Sequence, residues 1–416
     1  VAYESLIPKK WALLSTAAER FPVTATGGLN TAYEEFLHRH EEDWLQDYAL
    51  FRVLKTMHGE RSWPEWSTEF KHRESAALRH VAEQEHAAIE QIKIIQFLYH
   101  RQWSKLRAYA AEKRISLFAD MPIYIALDSA DAWAHPEILQ MDRNGIPGHV
   151  AGVPPDYFSE DGQLWGNPLY DWDFHAADGF RWWINRLRHA TALADLVRID
   201  HFRGFESYWA VPFGSETAKK GQWKSGPGDA LFDAISDSLG RLPVVAENLG
   251  IITKKVEALR KRHGLPGMNV LQLELGNSKF VLDDIEEDNV CYTGTHDNDT
   301  TQGWFHGGSH DTRTEAEFLA TRRNALKLTA GSPSTIHWDL IRSAFASRAR
   351  LAVAPMQDFL GLGSEARLNT PGTTRDNWRW RMLPGQIDQP SLESIRERVE
   401  ESSRTGAAGG GPAQDD

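Results

Sequence analysis

Through residues 1–114, apolar side chains recur every three or four positions, the period of helices that bury one stripe. Leu45, Tyr48, Phe51 and Leu54 mark one stripe, between Glu42 and Lys55. A longer one runs from Glu83 to Lys113 through Ile92, Ile95, Leu98, Tyr99, Trp103 and Leu106, and the spacing predicts that these are buried together. Between the two, residues 58–70 carry Gly59, Pro64 and two tryptophans and read as an irregular connection. No β-branched run interrupts the region, so residues 1–114 are predicted as a helical subdomain.

The pattern changes at residue 115. Residues 115–126 are strand-like, and residues 128–175 show few helix signals. Nine glycines and prolines lie between Gly145 and Pro168, among Tyr157, Phe158 and Trp165. This stretch reads as a long ordered loop with a functional use. From residue 176 onward helix and strand patterns alternate. Helical stretches at 179–191, 229–239 and 253–263 precede apolar runs ending at Asp200, Glu247 and Leu275. A further run spans 290–297, and helices at 314–330 and 338–347 lead into 351–358. Counting from residue 115 gives six strands. Such alternation predicts parallel βα units, an α/β fold. Residues 115–385 form this catalytic portion, and 386–416 read as a C-terminal helix and a disordered tail that begins near Glu400.

Most of these strands end in a polar cluster, usually followed by glycine: Asp200-His-Phe-Arg-Gly204, Glu247-Asn-Leu-Gly250 and Gln357-Asp-Phe-Leu-Gly361, with His296-Asp-Asn-Asp299 at a fourth. Carboxyl ends of parallel strands are where α/β folds build their sites. Asp200, Glu247 and Asp297 are the candidate catalytic acids. Arg198 lies two residues before Asp200, on the same face of a strand, so a buried Asp200 beside it is expected to stay ionised. Glu247 follows Val244, Val245 and Ala246 without a basic neighbour in its strand, which suits a carboxyl that must carry a proton. That asymmetry assigns Glu247 as acid/base and Asp200 as nucleophile in glycosidic-bond chemistry. Asp297, with His296, would grip sugar hydroxyls. Capping or salt-bridged carboxylates are the structural alternative for each acid taken alone.

The chain resembles the 4-α-glucanotransferases (amylomaltases, or disproportionating enzymes) of glycoside hydrolase family 77, through to about Met382. The resemblance is carried by Gly152-Val-Pro-Pro-Asp-Tyr-Phe-Ser159, Gly162-Gln-Leu-Trp-Gly-Asn-Pro-Leu-Tyr170, Arg198-Ile-Asp-His-Phe-Arg-Gly204, Ala246-Glu-Asn-Leu-Gly250, Tyr292-Thr-Gly-Thr-His-Asp-Asn-Asp-Thr300 and Gly361-Leu-Gly-Ser-Glu-Ala-Arg367. It implies a (β/α)8 TIM-type barrel of the α-amylase-like kind with helical insertions. It also implies retaining transfer of a 1,4-α-glucan segment to the 4-hydroxyl of another glucan or glucose. Asp200, Glu247 and Asp297 take the roles of nucleophile, acid/base and transition-state stabiliser, supported by Arg198 and His296. Asp156 and Tyr157, and less directly Trp165 and Asn167, become glucan contacts. The partners implied are maltooligosaccharides and other 1,4-α-glucans, with no cofactor or metal. The family barrel begins two strands earlier, and this chain opens on Val1, so it is expected to be an N-terminally truncated piece of a longer protein. A hydrolase of the same chemistry and a non-catalytic glucan-binding barrel are the rival readings.

Composition narrows the picture further. A net charge of −12 disfavours nucleic acid and anionic membrane surfaces as partners. No apolar run reaches membrane-spanning length, and the single cysteine, Cys291, sits in a strand-like segment as a predicted core thiol. Lacking disulfides, the chain fits a reducing cytoplasm. The sixteen tryptophans serve either a large core or sugar stacking, and composition does not separate the two. The basic runs Lys254-Lys255 and Arg260-Lys-Arg262 read as a solvated helix face. Gly361-Leu-Gly-Ser-Glu-Ala366 is only a loose dinucleotide fingerprint: it follows the last strand and lacks a ribose-binding acid. There is no Walker loop, HExxH motif or paired-cysteine metal site.

Overall fold

The computed structural model describes residues 1–155, 160–308 and 311–404. The chain divides into two compact units. The first comprises Ala2–Glu247 and Ile252–His263; the second comprises Val1, Asn248–Ile251 and the chain from Gly264 onward.

The first unit opens with the helical region expected from the sequence. Helices Tyr3–Thr24, Gly27–His40, Gln46–Met57, Ser75–Gln84 and His86–Glu112 account for most of residues 3–112. A single π-helical turn, Glu41–Leu45, joins the second to the third. Leu45, Phe51 and Leu54 are buried as their spacing requires, and pack with Trp63, Trp66, Trp133 and other apolar residues in two neighbouring clusters. The longer stripe is only half right. Ile92 and Ile95 are buried, but Tyr99 and Leu106 are 54% and 51% exposed. Beyond Tyr99 the helix makes its contacts through polar groups instead. The Trp103 indole donates to the Leu193 carbonyl, and Arg107 pairs with Asp195 at 2.7 Å.

Three parallel strands follow: β1 (Phe118–Met121), β4 (Leu196–Ile199) and β7 (Val244–Ala246), paired in that order. The first is far shorter than the expected strand over residues 115–126. The pairing sets Asp120 opposite Arg198, and Ile199 opposite Ala246. Helix Arg181–Leu193 leads into β4, and Asp229–Leu239 spans the residues its pattern predicted. Trp183, Phe202 and Phe205 are fully buried between these elements. Phe205 meets Trp183 edge-on at 5.2 Å and Phe232 at 5.3 Å.

The expected long loop is instead partly built of regular structure. It contains helix Ala130–Ala134 and strands β2 (His149–Val153) and β3 (Gln163–Pro168). These join β5 (Ser207–Pro212) and β6 (Gln222–Ser225) in an antiparallel sheet of order β3-β2-β5-β6 that the sequence pattern concealed. Gly152 lies where β2 and β3 shift register, and a Cβ there would come 2.5 Å from the Gln163 carbonyl oxygen. On helix Lys254–Arg262 one basic residue departs from the solvated face. Arg260 is buried and pairs with Glu257 at 2.8 Å, because its spacing from Val256 turns it inward.

The second unit holds the other parallel strands, β8 (Met268–Val270), β9 (Val290–Tyr292) and β10 (Leu351–Val353), with β9 central. The six expected parallel strands are thus present among the described residues, in two groups of three. The strand expected to continue to Leu275 stops at Val270. Leu271 and Leu275 lie four apart, and both face the core from the turn of helix that follows. The strand predicted through Asp358 likewise gives way to helix Met356–Phe359. Helix Glu315–Thr329 starts with a reciprocal cap. Thr314 Oγ1 accepts from the Glu317 N–H, and the Glu317 carboxylate accepts from the Thr314 N–H. Helix Gln389–Glu401 closes the described chain, so the predicted disorder near Glu400 falls on a helix end, and residues 405–416 lie outside the description. No helix among the described residues is long and apolar enough to cross a membrane.

Cys291 is fully buried in β9, and burial pushes its thiol up to about 11. The native protein should therefore resist an aromatic disulfide reagent at pH 8, whereas one thiol per chain should titrate after denaturation. Stoichiometric labelling of the folded chain within minutes would contradict the burial.

Candidate active site

The site builds from the carboxyl end of β4. Strand alternation sends Arg198 and Asp200 to one side, as predicted. Arg198 is nearly buried, and its guanidinium forks: Nη1 donates to Asp120 Oδ2 at 3.0 Å and Nη2 to Asp200 Oδ1 at 2.5 Å. Asp120 comes from β1, the neighbouring strand, at the register position opposite Arg198. One expectation needs correction. Asp200 is not buried; its side chain is 41% exposed, because β4 ends at Ile199 and the acid stands past the sheet. The guanidinium is the desolvated partner, and the carboxylate is the more exposed of the two.

Glu247 occupies the matching position on β7. Ile199 pairs with Ala246, so Asp200 and Glu247 follow at the same level of adjacent strands. Glu247 is 8% exposed, far more enclosed than Asp200. Its backbone continues the ladder, with its N–H donating to the Ile199 carbonyl and its carbonyl accepting from the Phe202 N–H. Its side chain accepts at Oε2 from the His201 N–H at 2.8 Å.

That last contact depends on a local distortion. His201 has φ +53° and ψ +48°, the left-handed region, which costs a non-glycine residue roughly 1–2 kcal/mol. The turn brings the His201 N–H onto Glu247 and swings the imidazole against Trp165, edge-to-face at 4.7 Å. Burial, followed by the nearby Arg203 cation, pushes His201 down to about 3, so the ring is neutral at physiological pH. Trp165, on β3, is half-buried there, and its indole N–H donates to Gln163. Asn167 gives its amide N–H to the Ile125 carbonyl at 2.8 Å, a contact that anchors the strand. Asp156 and Tyr157 fall outside the described residues.

In the second unit, Asp297 lies on the loop after β9. Oδ1 accepts from Asn369 Nδ2 at 2.6 Å, His296 Nε2 lies 3.4 Å from Oδ2, and Arg367 donates to the Asp297 carbonyl. The Trp378 ring lies 5.1 Å from that of His296, half-exposed, with its backbone at φ +60°. A left-handed indole-bearing residue is unusual and marks a constrained position. Below this loop Asp358 is buried and accepts from Thr293 Oγ1, Thr301 Oγ1 and the Thr301 N–H at 2.7–2.8 Å. Burial raises its pKa. It is the internal tie between β9 and helix Thr301–His306.

Sequence reasoning did not single out Asp120, His201, Asn369, Arg367 or Trp378. Asp120 carried a usable signal, an acid inside an apolar strand run. The others become visible only through backbone conformation or contacts distant in sequence.

Enzymes that work on glycosidic bonds use a pair of carboxyls, and here two lie at one level of neighbouring parallel strands, one held by arginine and the other enclosed. Comparison with known proteins makes this specific. The family model described as 4-alpha-glucanotransferase, glycoside hydrolase family 77, matches residues 1–386. The chain is 45% identical to the 4-alpha-glucanotransferase of Thermus thermophilus over 97% of its own length and 81% of that protein. It is 44% identical to that of Synechocystis over 93% and 76%. The amylomaltase of Streptococcus agalactiae, solved in complex with acarbose, superposes with a TM-score of 0.90 at 33% identity, over 97% of this chain and 80% of that one. The chain belongs to the family 77 4-α-glucanotransferases.

Two tests follow from this geometry. Arg198→Met would leave Asp120 and Asp200 facing each other without their shared cation, at a cost of about 1–3 kcal/mol because both acids keep some solvent; urea unfolding at pH 7 checks it. For His201, the unfolded ring titrates near 6.5 and the folded ring near 3. Between those values the unfolded chain binds the extra proton, so stability falls as pH drops from 6.5 towards 3. His201→Asn, which tolerates the left-handed turn, should flatten that part of the stability–pH curve.

Proposed function

We propose that this chain moves a segment of a 1,4-α-glucan to the 4-hydroxyl of an acceptor glucan or glucose, with Asp200 as nucleophile and Glu247 as acid/base. The observation that carries the reading is the pairing of an arginine-held, half-exposed Asp200 with an enclosed Glu247 on the next strand. Adjacent strands run about 4.8 Å apart. That spacing suits the roughly 5–5.5 Å between carboxyls in retaining enzymes, where one acid attacks the anomeric carbon directly.

In the first step Glu247 donates its proton to the glycosidic oxygen while Asp200 attacks the anomeric carbon. The bond to the leaving glucan breaks and a glycosyl ester on Asp200 forms. In the second step Glu247 takes the proton of an acceptor 4-hydroxyl, whose oxygen displaces Asp200. Arg198 keeps Asp200 ionised and fixes the oxygen it does not use. Asp297, positioned by Asn369 and His296, is the third acid, assigned to sugar hydroxyls that tighten as the ring flattens. Maltooligosaccharides are the substrate class, in keeping with the acarbose bound by the Streptococcus relative. Trp165, Asn167, Asp156 and Tyr157 are assigned to the glucan path. We further read residues 115–385 as the catalytic portion of an α-amylase-like (β/α)8 barrel lacking its first two strands, residues 1–114 as its helical insertion, and the cytoplasm as its place of action.

Incubation with maltotriose should yield glucose together with maltodextrins longer than the substrate. Only shorter sugars would mean hydrolysis. Glu247→Gln should lower turnover by about 10²–10⁴-fold with folding intact, since proton transfer by a positioned group contributes that much. Unchanged turnover in this variant would remove Glu247 from the mechanism.

A further inference from the structure

Away from the acids, three potential metal ligands converge where the helical region meets the helix leading into β4. His40 caps the end of helix Gly27–His40, Asp43 lies on the π-helical turn after it, and His189 belongs to helix Arg181–Leu193. One donor atom from each lies within 4.8 Å of the other two. His189 Nε2 and Asp43 Oδ2 are already 2.6 Å apart. The ordinary account is a surface His–Asp pair with an unrelated third residue beside it. Two features argue against that. The π-turn begins directly after His40 and contains Asp43, and isolated π-turns within helical runs concentrate at functional sites. The His40 ring is also fixed before any ligand arrives. It packs on Phe36 at 4.8 Å and on His100 at 5.4 Å, and accepts at Nδ1 from the Trp44 indole N–H at 3.3 Å.

We propose that His40, Asp43 and His189 form a binding site for a divalent transition-metal cation of the zinc type, with remaining positions open to water. Two imidazoles and one carboxylate are a donor set that such ions accept in four-coordination with an open position. Closing from 4.8 Å to the roughly 3.4 Å between ligands around a tetrahedral ion requires side-chain adjustment of about an ångström, within reach of two half-exposed residues. The site is structural, not catalytic. It joins the end of the second helix to the helix that runs into β4, and His189 lies seven residues before the strand carrying Arg198 begins.

The Trp44 contact supplies a direct readout. If the ion binds His40 Nδ1, it replaces the indole N–H. If it binds Nε2, the ring proton must sit on Nδ1, which can then no longer accept. Either way Trp44 loses its partner.

Zinc chloride titrated into the intact chain at pH 7.5 by calorimetry should show one saturable site tighter than about 10 µM. The melting temperature should rise in parallel, and tryptophan emission should change through a component absent from Trp44→Phe. His189→Gln and Asp43→Asn, both on half-exposed positions, should each weaken zinc at least tenfold while leaving the zinc-free melting curve and maltotriose turnover near the parent's. Cobalt(II) should give a visible absorption band that His189→Gln removes. The proposal is overturned if zinc shows no saturable binding at 100 µM, or if it binds both variants as tightly as the parent.

Discussion

The guanidinium of Arg198, forked between carboxylates from two strands, is the contact on which the candidate site rests. A buried cation in a parallel sheet is costly unless its charge and donors are matched, and here two acids match it. Because Asp120 and Arg198 are register partners, the sheet itself sets the fork and no loop has to close to make it. The result is asymmetric. Desolvation falls on the arginine, inside the layer, and the aspartate stands past the strand end, partly exposed. A lysine would give one point contact where arginine gives two directed ones, so the orientation of Asp200 depends on the planar fork and not on charge alone.

Glu247 receives the opposite treatment on the next strand. It is enclosed, and its side chain accepts a backbone N–H delivered by a left-handed residue. An N–H fixed by backbone geometry does not reorganise during a reaction, which is what pre-organised electrostatic sites require. The strain at His201 is held in place by what surrounds it: the ladder bond from the Phe202 N–H to the Glu247 carbonyl and the edge-on packing against Trp165. Two carboxyls of similar intrinsic acidity thus acquire different surroundings at the ends of adjacent strands.

Much of this was legible in the sequence, and the unread parts share a cause. Arg198, Asp200 and Glu247 could be placed because period-two alternation and polar strand ends are local signals. The antiparallel sheet of β2, β3, β5 and β6 escaped because β2 and β3 lie in a stretch punctuated by glycine and proline, and β2 pairs with β5 about 60 residues further on. Asp120 was present in a recognised run, but its meaning depends on register, which a single strand does not contain. The exposed Tyr99 and Leu106 and the buried Arg260 fail for a related reason. Periodicity says which residues share a helix face, not how far along the helix a neighbour covers it. The convergence of His40, Asp43 and His189 spans about 150 residues and has no signature in spacing at all.

The tryptophans show how the two kinds of information combine. Counting them could not divide core from ligand surface, but their environments do. Trp63, Trp133 and Trp183 are wholly enclosed, and Trp63 and Trp133 give their indole N–H to backbone carbonyls, the behaviour of packing residues. Trp165 and Trp378 have other surroundings. Each is partly open, and each lies against a histidine next in sequence to one of the candidate acids, Trp165 on His201 and Trp378 on His296. An aromatic face that keeps solvent beside a carboxylate gains by covering itself with the apolar face of a sugar ring, while the hydroxyls reach the acid. A core tryptophan has no such face left to offer. Position relative to the acids, more than residue count, therefore separates the aromatics that keep an open face from those spent on the core.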